Sequence, residues 1–309
     1  MEENPLRILI VGADGMIGYC MWAYFSTHTP HHVVGSIRSR RNIEAFNPEY
    51  RNRLLITGAI DDDKSLEMLF ANAQPDIVIN CAGATAHIDG GESPLIALPS
   101  NSLLPHRLHA ISRQFGARFI HLSTDCVFDG ENGGYSEKHP VNAKTFYGLS
   151  KALGEVVNEN DAVTIRTSPV GFEISSRRGL LAWFLDQSGV INGFTNAYFS
   201  GLTNLRLAKI IDSYFIRSEK ILHGLYHVTG PKISKFDLIS KFKDHFGSIA
   251  EIIPDGQLVL DRSLDGQKFT EATGYRQLSW DEMILELIDF AKYYPEKAVT
   301  TPNLGTVNA

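Results

Sequence analysis

Arg7-Ile8-Leu9-Ile10-Val11-Gly12-Ala13-Asp14-Gly15-Met16-Ile17-Gly18 is the stretch on which the fold turns. An apolar run with no polar alternation comes first, which is how a strand buried on both faces of a parallel sheet reads. Three glycines at intervals of three follow, and a helical pattern begins at once. Glycine is needed where a chain turns tightly or must let another group approach its backbone. The helix behind the turn offers free N–H groups and the positive end of its dipole. A glycine turn between a strand and a helix is therefore a seat for the pyrophosphate of a dinucleotide. Gly12, Asp14, Gly15, Met16, Ile17 and Gly18 are expected to line it.

Similar runs recur outward from this one, at His32–Ile37, Leu54–Gly58, Ile77–Asn80, Phe119–Ser123 and Val163–Thr167. The segments between them carry helical spacing, as at Leu66, Leu69 and Phe70. Repeated βα units predict an α/β fold, a doubly wound parallel sheet with helices on both sides. This Rossmann domain is expected over residues 1–167. After Thr167 the rhythm changes. Gly193–Gly201 reads as an aromatic loop, helices are expected at Leu205–Ile216, Lys235–Phe246 and Ser279–Tyr294, and a strand at Leu225–Val228. Residues 168–309 are expected to form a smaller substrate-binding domain interleaved with the first, ending in a loose tail from about Thr300.

Composition narrows the function. Of 309 residues, 43% are hydrophobic and 21% charged, as in a soluble globular protein. The balance of 29 basic against 35 acidic residues, net −6, gives no surplus to neutralise a nucleic-acid backbone. No apolar run is long enough to span a bilayer, and the acidic N-terminal segment does not read as a secretory signal. Cys20, Cys81 and Cys126 are scattered and odd in number, so a reducing cytoplasm without disulfides is expected. The histidines, His31, His32, His106 and His109 among them, show no metal-ligand spacing, and no metal is expected.

The second strand decides between the nicotinamide cofactors. An NAD site carries an acidic residue at its end to hold the ribose hydroxyls. Tyr19 to Ile43 contains no Asp or Glu, and the strand runs into Arg38-Ser39-Arg40-Arg41. A guanidinium fork suits a phosphate, so Arg38 with Ser39 points to NADP(H). Asp61 is a candidate near the adenine, or a helix cap. Asn80-Cys81-Ala82-Gly83 closes the fourth strand with small residues where the cofactor would pass.

Tyr147 and Lys151, four apart at the start of a helical segment, share one helix face. An ammonium beside a phenol favours the phenolate and lowers the tyrosine pKa, making a usable acid–base group. Ser123-Thr124-Asp125 closes the fifth strand at the edge where open α/β sheets bind ligands. Tyr293 and Lys297 have the same spacing, but Pro295 lies between them and no strand-end hydroxyl precedes them.

The glycine turn, Asn80-Cys81-Ala82-Gly83, Asn101, the run Leu122 to Gly130, Tyr147-x-x-x-Lys151 and Ile165-Arg166-Thr167-Ser168 together resemble the extended short-chain dehydrogenase/reductases. Within these the chain is most similar to the dTDP-4-dehydrorhamnose reductase family, which reduces 4-keto groups of nucleotide-linked deoxysugars. The likeness implies that Thr124, Tyr147 and Lys151 are catalytic. It also implies that Cys81, Ala82, Gly83 and Asn101 touch the cofactor. Asp125, Cys126, Val127 and Ser168 would touch a nucleotide-sugar substrate. Two departures fall near that substrate: Cys126 stands where many relatives have an aromatic residue, and Pro169 where they often have a Trp.

The expected reaction is hydride transfer from NADPH to a ketone. Tyr147 gives the proton, Thr124 polarises the carbonyl, and Lys151 tunes Tyr147 and holds the nicotinamide ribose. Arg262 is the candidate for the nucleotide diphosphate, against a salt bridge with Asp261. Tyr198 and Phe199 are candidates to pack on the base or sugar, against a place in the core. Two alternatives stand. Cys126 could serve as the base of an epimerase or epimerase-reductase, or the chain could be a non-catalytic regulatory subunit of this fold, like the β subunit of methionine adenosyltransferase. A homodimer is compatible with either.

Overall fold

The computed structural model describes residues 4–60, 62–85, 92–175 and 177–299. Six strands alternate with helices through the first half: β1 (Arg7–Val11), β2 (His32–Ile37), β3 (Leu54–Ile56), β4 (Ile77–Asn80), β5 (Arg118–Thr124) and β6 (Ala162–Thr167). All pair in parallel, and the strand Gly224–His227 from the second half adds beside β6. The order across the sheet is Gly224–His227, β6, β5, β4, β1, β2, β3. The order reverses at β1 and β4, and ligands bind at the carboxyl edge of such a reversal.

Alternation along β1 explains the two layers. Leu9 and Val11 face a core shared with Leu66, Phe70, Leu108 and Phe119. Ile8 and Ile10 face the larger core of Tyr19, Trp22 and Phe25, which runs on through Phe172, Phe242 and Trp280 of the second half. Both faces are dry, which is why the strand reads as an unbroken apolar run.

Four labelled helices serve the site: α1 (Met16–His28), α2 (Asp63–Ala73), α3 (Leu104–Gln114) and α4 (Phe146–Leu153). One wide π turn, Leu98–Leu103, leads into α3 and carries Asn101. The helices Lys235–Phe246 and Trp280–Phe290 lie where the periodicity puts them. The expected helix at Leu205–Ile216 is α-helical over Asn204–Ile210 and a π turn over Ile211–Ile216.

The expected loop Gly193–Gly201 is not one. Val190–Phe194 pairs with Glu251–Asp255, and Ala197–Phe199 lies between Ile233–Ser234 and Leu260–Asp261. Such short segments have little intrinsic strand signal; pairing partners far along the chain make them strands. Among the described residues, no helix is long and apolar enough to cross a membrane.

Candidate active site

The glycine turn is built for an anion. Gly12 sits at φ +80°, and a Cβ there would lie 2.9 Å from the Ala82 backbone. A Cβ on Gly18 would collide with the Gly12 carbonyl. Gly15 has only that carbonyl near it, at 3.5 Å, and otherwise faces open space. Gly15 caps α1 with no side-chain hydrogen bond, and no acid stands in the first turn. The first N–H groups of α1 are thus left for a ligand. These features fit a dinucleotide phosphate. Asp14, Met16 and Ile17 are half-buried in the same turn. Burial raises the Asp14 carboxyl, and Arg38 partly offsets this.

Arg38 is exposed at the end of β2 beside this turn. The hydroxyl of Ser39 accepts from the Arg41 amide at 3.4 Å and caps the short helix Arg40–Ala45. That contact uses Ser39 as an acceptor and leaves its O–H to donate, so Ser39 can add a neutral hydrogen bond to a phosphate held by the Arg38 charge. Asp61 lies outside the described residues; its neighbour Asp62 caps α2 by accepting from the Ser65 amide at 2.8 Å.

Small residues after β4 form the floor. The Cys81 amide bonds to Val11, and the Ala82 amide to the Asn80 side chain at 3.1 Å. A Cβ on Gly83 would meet Asn101 Oδ1 at 2.9 Å and stand 4.0 Å from Lys151 Nζ. Asn101 accepts from the Ala84 amide at 2.8 Å and donates to the Ala84 carbonyl and the Ser150 hydroxyl, both at 3.0 Å. Both of its donors are spent on protein. The direct cofactor contact expected of Asn101 gives way to another job, fastening the floor to α4.

Tyr147 and Lys151 lie on α4, whose first turn is capped by Thr145 and by Glu92, which accepts from the Phe146 amide at 2.9 Å. Gly148 has no side chain because the Cys126 carbonyl fills that space, so the start of α4 rests on the turn after β5. The Thr124 hydroxyl accepts from the Cys126 amide at 3.1 Å, donates to Asp125 Oδ1 at 3.2 Å, and meets the Tyr147 phenol.

Electrostatics differs from the sequence expectation. Burial pushes the Tyr147 phenol well up, with Cys126 and Asp125 adding to this. Thr124 and Arg262 oppose the rise. Lys151 is 5% exposed and donates to the Leu122 carbonyl at 2.8 Å. Burial brings its ammonium down to about 8, against an upward pull from Glu155. Arg262 is a cation that favours a Tyr147 phenolate.

The sequence reading missed the layer beneath. Glu155 and Arg166 form a buried two-point ion pair, both contacts at 2.7 Å, and Glu155 also accepts from Ser123 at 2.6 Å. His227, held neutral by burial with its pKa down to about 3, lies 3.3 Å from Arg166 and bonds to the Tyr135 carbonyl. A charged residue inside an apolar strand, Arg166 in β6, was the available signal, since such a charge must be paired.

The substrate candidates separate. Asp125 is 5% exposed and Cys126 half-buried, both at the Tyr147 pocket. Val127 is fully buried against Phe128, Tyr135 and Leu264, so the substrate contact expected of it is corrected to a packing role. Ser168 is half-buried, and a Cβ on Gly201 would strike its carbonyl. Phe199 is 2% exposed and packs on Trp280, which makes it core rather than a platform for a base. Tyr198 points the other way along the strand and is covered by Lys232, 4.9 Å from its ring centre. Asp261 pairs with Lys232 and Ser263, not with Arg262. Arg262 reaches inward instead, its Nη1 3.4 Å from Cys126 Sγ, and its buried Nε has no hydrogen-bond partner among the described residues.

His109 does have convergent acids: Asp161 lies 2.8 Å away, with Glu159 nearby. Arg113 pairs with both carboxylates. No two of the three cysteines are bridged.

Residues 6–186 match the family described as RmlD substrate binding domain. The chain belongs to this family. It is 34% identical over 150 residues to a dTDP-4-dehydrorhamnose reductase of Streptomyces griseus, covering 48% of this chain and 43% of that one. It is also 28% identical over 170 residues to methionine adenosyltransferase 2 subunit beta of Xenopus laevis, covering 53% and 46%. The chain spans about half the length of the curated relatives it matches. A solved dTDP-4-dehydrorhamnose reductase of Bacillus anthracis, in complex with NADP, superposes with a TM-score of 0.74 at 20% identity, over 92% of this chain and 99% of that one. Thr124, Tyr147 and Lys151 all fall within the part matched to the RmlD family.

Proposed function

We propose that this RmlD-family protein reduces a ketone, at C4, of a nucleotide-linked deoxysugar with NADPH. The observation that carries this reading is the meeting of Thr124 and Tyr147 at the carboxyl edge of the sheet, with Lys151 one helical turn on and beside Gly83. NADPH, when bound, supplies the hydride. The open N-terminus of α1 would hold its pyrophosphate and Arg38 its 2′-phosphate.

Thr124 would hydrogen-bond the substrate oxygen. Tyr147 would give that oxygen its proton. Burial keeps the phenol protonated at neutral pH, the form a reduction requires; the reverse oxidation would need phenolate. Arg262 near the phenol supports the anion left after transfer. Lys151, neutral or charged with little bias near pH 8, would hold the nicotinamide ribose as a donor. The three unbridged thiols support a place in a reducing cytoplasm.

Cys126 is a poor candidate for an epimerase base. Burial and Asp125 push its thiol up to about 12 despite the nearby Arg262, so it stays protonated. The regulatory-subunit reading keeps one observation in its favour, the match to methionine adenosyltransferase 2 subunit beta. A screen of NADPH oxidation against nucleotide-linked 4-keto sugars separates the two. Turnover is expected, and Tyr147→Phe should keep NADPH affinity while losing about a hundredfold or more in rate. NADPH binding with no turnover on any such sugar supports the subunit. Turnover surviving Tyr147→Phe within a few-fold overturns the role given to Tyr147.

A further inference from the structure

A row of polar side chains crosses the sheet beneath the site. Ser123 of β5 stands opposite Arg166 of β6, and Arg166 stands opposite His227 of the next strand. All of them are buried. The row lies one residue short of the carboxyl edge, where Thr124 pairs with Thr167. Glu155 meets it from just beyond the end of α4. Its buried carboxylate accepts from the Ser123 hydroxyl at 2.6 Å and from the Arg166 guanidinium at two points, both at 2.7 Å.

Stability gives little reason for such a row. Apolar side chains filling the same space often serve as well as a buried ion pair, because both charges must leave water. What a two-point pair supplies is directed geometry. Here it joins the end of α4 to two strand ends at once. Lys151 stands four residues before Glu155. Its ammonium donates to the carbonyl of Leu122, the residue before Ser123. Lys151 and Glu155 thus grip adjacent residues of β5. A lysine stem is flexible and ends in a point charge without preferred direction, so the place of the ammonium follows the spacing between α4 and β5. That ammonium borders the floor of the cofactor site, 4.0 Å from where a Cβ on Gly83 would stand. Asn101 fastens α4 to the floor through Ser150; Glu155 ties its end to β5 and β6.

We propose that Glu155, through Ser123 and Arg166, is a positioning residue that fixes the Lys151 ammonium for the nicotinamide ribose of NADPH. This rests on the cofactor reading given above. The adenosine end should not feel the row, because the glycine turn and Arg38 belong to β1 and β2, beyond β4 in the sheet. The ion pair is neutral as a unit, so its removal also leaves the field at the cofactor phosphates little changed.

The test replaces both charges at once, Glu155→Met with Arg166→Met, so that neither is left unpaired. NADPH and adenosine 2′,5′-bisphosphate, which keeps the 2′-phosphate and lacks the nicotinamide ribose, are titrated against each protein by calorimetry. The double variant is expected to hold the bisphosphate within about twofold and to lose about tenfold for NADPH, the worth of one hydrogen bond to a charged group. Lys151→Met should lose a similar factor. Adding it to the double variant should cost little more, since both changes remove the same contact. Losses that add in full, equal weakening of the two ligands, or undiminished NADPH binding in either Lys151→Met or the double variant overturn the assignment. Ser123→Ala leaves the ion pair intact and decides the matter if the double variant does not fold. A loss of a few-fold for NADPH alone is then expected, and no loss overturns the positioning role. A wild type that does not bind NADPH overturns the cofactor reading, and the role of Glu155 falls with it.

Discussion

Arg38→Ala isolates the choice between NADPH and NADH. Arg38 is exposed at the end of β2, and its charge lowers the Asp14 carboxyl. Its removal should therefore cost the fold little. A hydrogen bond to a charged group contributes about 1.5–3 kcal/mol. Solvent screening at an exposed site argues for the lower end. The expected loss is about tenfold in NADPH affinity, or roughly 1.4 kcal/mol. NADH has no 2′-phosphate and should bind the variant as it binds the wild type. The NADPH advantage should also shrink as salt is raised, in the wild type but not in the variant. Ser39→Ala should cost less than Arg38→Ala, because it removes a neutral donor and no charge. Fluorescence titrations with both cofactors at two ionic strengths measure all of this. A wild-type preference for NADH, or equal weakening of both cofactors by Arg38→Ala, refutes the reasoning.

Glu155→Gln should destabilise the protein by about 3–5 kcal/mol, because Arg166 is left charged in a site only 4% exposed; an unchanged urea midpoint would show the pair to be dispensable. Lys151 carries a pH signature. Its folded pKa of about 8 lies below the roughly 10.4 of an unfolded lysine. The unfolded chain therefore binds more protons between those values, and wild-type stability should rise with pH across that window. Lys151→Met should remove the rise and be the more stable form at pH 7, by on the order of 2–3 kcal/mol. A stability difference between the two proteins that stays flat from neutral to alkaline pH would contradict the burial of that charge.

Much of the frame was readable because its physics is local. A strand covered on both faces must be apolar throughout, and β1, β2 and β4 announce themselves that way. A turn that admits no Cβ must be glycine, and Gly12 and Gly18 are. Tyr147 and Lys151 lie on one helix face because their separation dictates it. What escaped was set by distant partners. Lys235 looks like any first-turn lysine until Phe199 is seen beneath it. Val127 follows two pocket residues in sequence, yet the turn Asp125–Val127 rotates it into an apolar cluster. Lys151 sits at the right spacing to tune Tyr147, but its ammonium is directed to the Leu122 carbonyl. Spacing specifies a shared face and does not specify where a long flexible side chain ends.

The two halves of the chain meet at the turn after β5, and their union accounts for the site better than either half does. The family match covers residues 6–186, with Thr124, Tyr147 and Lys151. Arg262, whose charge acts on the Tyr147 phenol, comes from beyond it. Its delivery is not left to side-chain reach. The Asp261 amide donates to the Gly130 carbonyl at 2.7 Å, Tyr135 to Ser263 at 3.0 Å, and Asp265 to Tyr135 at 2.7 Å. The Gly134 amide adds a bond to the Ser263 hydroxyl at 2.9 Å. A Cβ on Gly130, which sits at φ +85°, would overlap Leu260 and come within 2.9 Å of Arg262 Cγ. The segment carrying Arg262 is thus laced, backbone to backbone, to the loop that leaves the catalytic turn. Hydrogen bonds of this kind fix position to a fraction of an ångström, which catalysis by oriented charge requires. Arg262 is thereby held at a fixed place relative to the turn that carries Thr124 and Cys126.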